Sequence, residues 1–157
     1  MKRNLTSRIL LAITPMMIIC SVLVPGSSGV AESCSNKTIK GDYGCSINGS
    51  LIFGPTQLPF VAATTTHYDG EGNLTGLEHP VINGSSLDSG WDKNAGTYTV
   101  NPDCTAKSVT SSPNSQDSII NYFVVVDNGK QIYSVNGEHA LSITCTRLND
   151  GHDGHDR

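Results

Sequence analysis

The sequence predicts an all-β fold, an eight-stranded antiparallel meander closed into a small barrel, and three observations carry that reading. No window of twelve residues from 32 onward sustains an apolar period of three to four, so no amphipathic helix is signalled. Alternating and β-branched runs recur instead, each bounded by Gly, Asn, Asp or Pro. Charged residues make up only 15% of the chain, well below the roughly 25% of an average soluble protein. With Gly, Ser, Thr and Asn in their place, a helical bundle, a coiled coil and a basic nucleic-acid binder are all poor fits.

Residues 1–31 read as a secretory signal peptide. Lys2, Arg3 and Arg8 form a positive start, 9–24 is almost wholly apolar, Pro25 and Gly26 break any helix, and Gly29-Val30-Ala31 offers small residues for cleavage after Ala31. The rival is an uncleaved anchor, since this sixteen-residue, mostly apolar stretch approaches the roughly 17 of a short spanning helix. Neither Cys20 nor Cys34 sits in a lipobox. Cleavage leaves seven basic residues against fourteen acidic ones, a net charge of -7 instead of -4. Such a surface repels nucleic acid and anionic lipid, so neither is expected as a partner, and no membrane insertion is expected after cleavage. The barrel domain is placed at 32–148 and a disordered polar tail at 149–157, in a protein that is secreted or periplasmic.

About eight strands follow in order, near 38–48, 58–68, 73–82, 91–100, 104–111, 119–127, 130–136 and 141–147. Asn128-Gly129, between two apolar runs, suits a type I′ hairpin. Asp69-Gly70-Glu71-Gly72 marks a looser hairpin, and Asn101-Pro102-Asp103 a turn whose φ is fixed by proline. Phe60, Ala62, Thr64 and Thr66 alternate with Val61, Ala63, Thr65 and His67, leaving one face small and mixed, as on a strand lining a barrel interior. The segment 119–126 is apolar on both faces and is expected to be the most buried strand. Closing the meander removes its exposed edges.

Four cysteines remain after cleavage, an even number that signals two disulfides in an exported chain. In a closed meander the first and last strands are neighbours. Cys45 shares parity with Tyr43 and Ile47, and Cys145 with Ile143 and Leu141, which predicts Cys45–Cys145 across the seam and Cys34–Cys104 tying the lead-in to a turn. Pairing Cys34 with Cys45 and Cys104 with Cys145 is the alternative. No two cysteines lie closer than eleven positions, which argues against a zinc site.

The segments Thr38-Ile39-Lys40-Gly41-Asp42-Tyr43-Gly44, Tyr68-Asp69-Gly70-Glu71-Gly72-Asn73, Gly96-Thr97-Tyr98-Thr99-Val100-Asn101-Pro102-Asp103-Cys104-Thr105 and Phe123-Val124-Val125-Val126-Asp127-Asn128-Gly129-Lys130 carry a resemblance over about residues 38–135. Together they resemble a group of small exported, mostly bacterial proteins sharing a TLKGxYG start, an FDGxGN hairpin, a GTYTVNxDCTG turn and a VVxDGGKE-like hairpin. The resemblance implies a calycin-like barrel, similar to lipocalins and to allene oxide cyclase, and transfers no catalytic residue. Ala106 stands where the group has Gly after Cys-Thr.

An eight-stranded barrel is either packed with side chains or hollow enough for one small ligand. If hollow, Phe60, Trp91, Tyr98, Phe123 and Tyr133 are the candidate ligand-binding aromatics for a small apolar ligand held without catalysis. A surface partner is the other non-catalytic possibility. The alternative is a cyclase or isomerase of the allene-oxide-cyclase kind, with His67 and Glu78 as the polar groups that steer the substrate. Register across the 68–73 hairpin sets His67 nearer Leu74 than Glu78, against a His67–Glu78 pair. No nucleophile elbow, phosphate loop or HExxH occurs, and no cofactor is expected. His152 and His155, in a repeated Gly-His-Asp triplet, are the candidate metal ligands, against the reading of a plain polar terminus. Sequons stand at Asn36, Asn48, Asn73 and Asn83.

Overall fold

Alternation of apolar and polar residues sets the strands, and the phase of that alternation decides which side chains turn inward. The computed structural model describes residues 33–86, 90–111 and 118–149, all within a compact unit spanning Glu32–Arg157. The expected leader at 1–31 and the tail histidines His152 and His155 lie outside the described residues. The strands are β1 (Gly41–Phe53), β2 (Thr56–Tyr68), β3 (Asn73–Ile82), β4 (Ser85–Ser86), β5 (Asp92–Val100), β6 (Thr105–Ser111), β7 (Ile119–Val126), β8 (Gln131–Asn136) and β9 (Ala140–Arg147). All pairings are antiparallel. β1 pairs with β2 on one edge and β9 on the other, and β2 with β3, so eight strands close into a barrel. The two-residue β4 pairs with the end of β3 beyond the reach of β5.

β1 and β2 run further than their composition suggests and meet in a hairpin at Phe53 and Thr56. Gly49, Ser50, Thr56 and Gln57 look like loop in the sequence, yet all four are laddered. Gly49 is required by close packing at the seam: at φ 149° it has no side chain, and a Cβ there would lie 2.0 Å from the carbonyl oxygen of Ala140. Thr38 and Ile39, expected to open the first strand, belong instead to a single 3₁₀ turn over Asn36–Ile39 that buries Ile39 completely.

The β7–β8 connection also differs from the expected two-residue turn. Val126 pairs with Gln131, leaving a four-residue loop in which Asp127, Asn128 and Gly129 all take positive φ. This loop is drawn under the barrel. A Cβ on Gly129 would stand 2.1 Å from the carbonyl oxygen of Thr38, so the turn packs against the 3₁₀ segment only with glycine there.

β7 is less buried than its sequence implies. Phe123 and Val125 are buried, whereas Tyr122 and Val124 are 51% and 43% exposed. Among the described residues no second layer covers the barrel, so the outward set of an apolar strand faces solvent.

One end of the barrel is filled. Tyr43, Tyr68 and Tyr98 stack edge to face, with centroids 5.4 Å and 4.9 Å apart, above Ile39 and beside Leu74, Phe123 and Ile132. Arg147 ties this end together: its guanidinium donates to Thr38 O at 2.8 Å, Gly129 O at 3.2 Å and the Tyr43 hydroxyl at 2.8 Å, while lying 5.3 Å from the Tyr43 ring centroid. The Tyr43 hydroxyl itself donates to Gly129 O. At the β2–β3 turn Asp69 accepts hydrogen bonds from the amides of Glu71, Gly72 and Asn73 and from the Asn73 side chain, which hold its carboxyl down at about 2.

The disulfides are Cys34–Cys104 and Cys45–Cys145. Cys45 and Cys145 are direct register partners of β1 and β9. Both bonds point to an oxidising compartment. Replacing Cys45 and Cys145 together by Ala is expected to lower the unfolding free energy by roughly 4 kcal/mol in the chain-entropy account of a loop this long. Urea unfolding measures it, and a loss near zero would mean that the backbone pairing alone holds the seam.

Candidate functional site

Side-chain size decides where the barrel is solid. Below the level of Cys45 the inward positions carry the three tyrosines, Leu74, Phe123 and Ile132. At that level and above it they carry Thr64, Ala62, Ser108 and Ser134. These small residues leave a cavity of about 340 Å³ that rises to the opposite rim, where Leu51, Asp92, Ser111, Ile119 and His139 border it. The volume falls within the range of small-molecule sites.

The cavity has two unlike walls. Ile47 and Leu51 from β1, Phe60 from β2, Ile82 from β3, and Leu141 and Ile143 from β9 form an apolar arc. Across the barrel, β5, β6, β7 and β8 present Asp92 and Asn94, Ser108 and Thr110, Asn121, and Ser134 and Asn136. Two of these wall hydroxyls spend their protons on the barrel backbone, Ser134 Oγ donating to Tyr122 O at 3.2 Å and Thr110 Oγ1 to Ile119 O at 3.5 Å; outside the wall, Thr64 Oγ1 on β2 donates to Thr65 O at 3.3 Å. Asn136 donates to Asn121 Oδ1 at 3.2 Å, and its own Oδ1 accepts the amides of Glu138 and His139. His139 uses Nδ1 to accept from Ile52 N at 3.1 Å.

Glu78 and Asp92 stand opposite each other in the β3–β5 register, both on the cavity. Burial raises the Glu78 carboxyl above its ordinary range, and the neighbouring negative charge of Asp92 raises it further. Among the described residues no cation pairs with Glu78; Lys93, also at the rim, makes no ion pair with it.

Phe60 and Phe123 line this cavity, as does Glu78. Tyr98 is instead part of the filled end, where its hydroxyl accepts from Gly70 N at 2.9 Å and donates to Asn36 O at 3.2 Å. Tyr133 lies outside, 48% exposed, because it alternates with the inward Ile132 and Ser134. Trp91 also lies outside, 54% exposed, just ahead of β5 and 5.8 Å from the His79 ring. His67 is on the outer face and pairs with Asp42 at 2.7 Å, so it does not meet Glu78. His79, outside as well, binds Gly90 O and Ser86. Of the sequons, Asn36 is tied inward, its Oδ1 accepting from Val100 N at 2.8 Å. No group of three or more metal-ligating side chains exists among the described residues.

The residues that sequence reasoning passed over as a site are Leu51, Ser108, Asn121, Ser134, Leu141 and Asp92. Parity signals two of them, Leu51 and Leu141, since every second residue counted from Cys45 or Cys145 faces inward. Asp92 needed the β3–β5 register.

The raised carboxyl of Glu78 carries a pH consequence. Between the ordinary carboxylate range and its raised value the folded state binds more protons than the unfolded one, so stability falls as pH rises through that window. Glu78→Gln is expected to raise Tm at pH 7 and to change it much less at pH 4, measured by circular dichroism melts. An equal shift at both values would mean that the carboxylate charge is not the cause.

In comparisons with known proteins, the chain matches no protein-family model, no curated protein and no solved structure.

Proposed function

We propose that this is an exported barrel that holds a small, largely apolar ligand inside it without changing it. The observation that carries the reading is the 340 Å³ cavity with its apolar arc of Ile47, Leu51, Phe60, Leu141 and Ile143. A folded chain gains by filling such a space with side chains, and β2, β6 and β8 place Ala, Thr and Ser there instead. Export is supported by the signal-like start of the sequence and by the two disulfides.

A second reading, a cyclase or isomerase acting on a ligand held in the barrel, is supported by one observation. Glu78 has its carboxyl raised by burial and by Asp92, which is how a general acid is prepared near neutral pH. With His67 on the outer face, Glu78 is the group that reading rests on.

Binding is tested with N-phenyl-1-naphthylamine, an apolar fluorophore neutral at pH 7. Its fluorescence is expected to rise and saturate at one molecule per barrel. Thr110→Trp, at the cavity rim and holding only a 3.5 Å hydrogen bond to Ile119 O, should weaken that binding at least tenfold. Val135→Trp, on the outer face, should leave it unchanged. Equal binding by wild type and Thr110→Trp would place the probe elsewhere and overturn the reading.

A further inference from the structure

We propose that the ligand of this cavity is an amphipathic amine, its apolar body lying along Ile47, Phe60 and Leu141 and its ammonium meeting the Glu78 carboxylate. The inference rests on the binding reading above and names the class of molecule the same site takes. Two features of the cavity converge on it. The apolar arc of β9, β1 and β2 lies across the barrel from the polar wall of β5, β6 and β7, so an occupant touches both and has unlike faces or ends. Glu78 is a half-buried carboxylate on the cavity without a cation of its own among the described residues, and Asp92 stands opposite it in the β3–β5 register. A ligand group that carries positive charge is complementary to this pair, and a carboxylate or phosphate is not.

Energetics separate this class from its neighbours. A neutral alcohol of equal length gains the same apolar contact and one hydrogen bond, whereas an ammonium adds a charge-assisted bond in a partly desolvated site. A fatty acid of equal length brings a third negative charge beside Glu78 and Asp92 and is disfavoured. The order amine, alcohol, acid is therefore the signature of the site, and hydrophobic capture alone produces no such order.

The experiment displaces bound N-phenyl-1-naphthylamine from the oxidised protein at pH 7 with decylamine, decanol and decanoate. Decylamine is expected to compete at least tenfold better than decanol, and decanoate worse than decanol. In Glu78→Gln the amine-to-alcohol ratio should fall to within about twofold, and in Glu78→Lys decanoate should overtake decylamine. Asp42→Asn, on the outer face, serves as the control that leaves the ratios as in wild type. Equal competition by amine and alcohol in the wild type, or an amine preference that survives in Glu78→Gln, would overturn the proposal while leaving the binding reading standing. Failure of the fluorophore itself to bind overturns both.

Discussion

Eight strands enclose an interior only if the first meets the last, and here β1 and β9 meet over eight register positions with Cys45 directly opposite Cys145. Every later feature of the molecule depends on that pairing. It fixes the parity of both strands, because a slip of one residue would turn Tyr43, Cys45 and Ile47 outward. Parity in turn settles which side chains of β2 and β8 face the axis, since each strand's register follows from its neighbour's. Gly49 belongs to the same constraint: the seam is close enough at Ala140 that no side chain fits between the strands.

The interior so formed is filled from one end. Three tyrosines bring large apolar rings with polar tips, and each tip needs a partner when buried. Tyr43 finds Gly129 O and Arg147, and Tyr98 finds Gly70 N and Asn36 O. Burial and the two neighbouring tyrosines push the Tyr68 hydroxyl far above its ordinary range, so all three rings stay neutral. Arg147 then serves as a cap for a barrel end, spending its donors on carbonyls of the 3₁₀ turn and the β7–β8 loop where a helix or longer loop would otherwise be needed. The cost of filling that end with large residues is none at the other, where small residues occupy the inward positions and the space remains.

Alternation made the strands legible, and with them the closed meander and the seam disulfide, because all three follow from a period of two and from adjacency of the chain's first and last strands. What the sequence hid is what depends on close approach or on a face without a covering layer. Gly49 and Ser50 read as loop although the ladder passes through them, since glycine in a strand is informative only once its neighbour is known. Asn128-Gly129 carries the mark of a two-residue turn, yet packing against Thr38 recruits Asp127 and Lys130 into a wider loop. Tyr133 and Trp91 are large aromatics, and size alone suggested an interior role. The parity of Ile132 and Ser134 was the better guide for Tyr133. Glu78 was visible as a polar residue on an otherwise suitable strand, while its partner Asp92 belongs to a different strand and emerged only from register.

A carboxylate on a cavity wall is an expensive choice for an eight-stranded barrel. Gln would keep the hydrogen-bonding capacity without the charge, and Thr or Ser, already used at neighbouring inward positions, would do so with less bulk. Glu78 instead carries a charge that burial and Asp92 both oppose. Folding therefore gains nothing from its ionised form. The relief that fits is a cationic group brought from outside, which offsets the repulsion between the two acids. If the barrel holds an amine as proposed, this repulsion makes affinity depend on the head group of the ligand as well as on its apolar bulk.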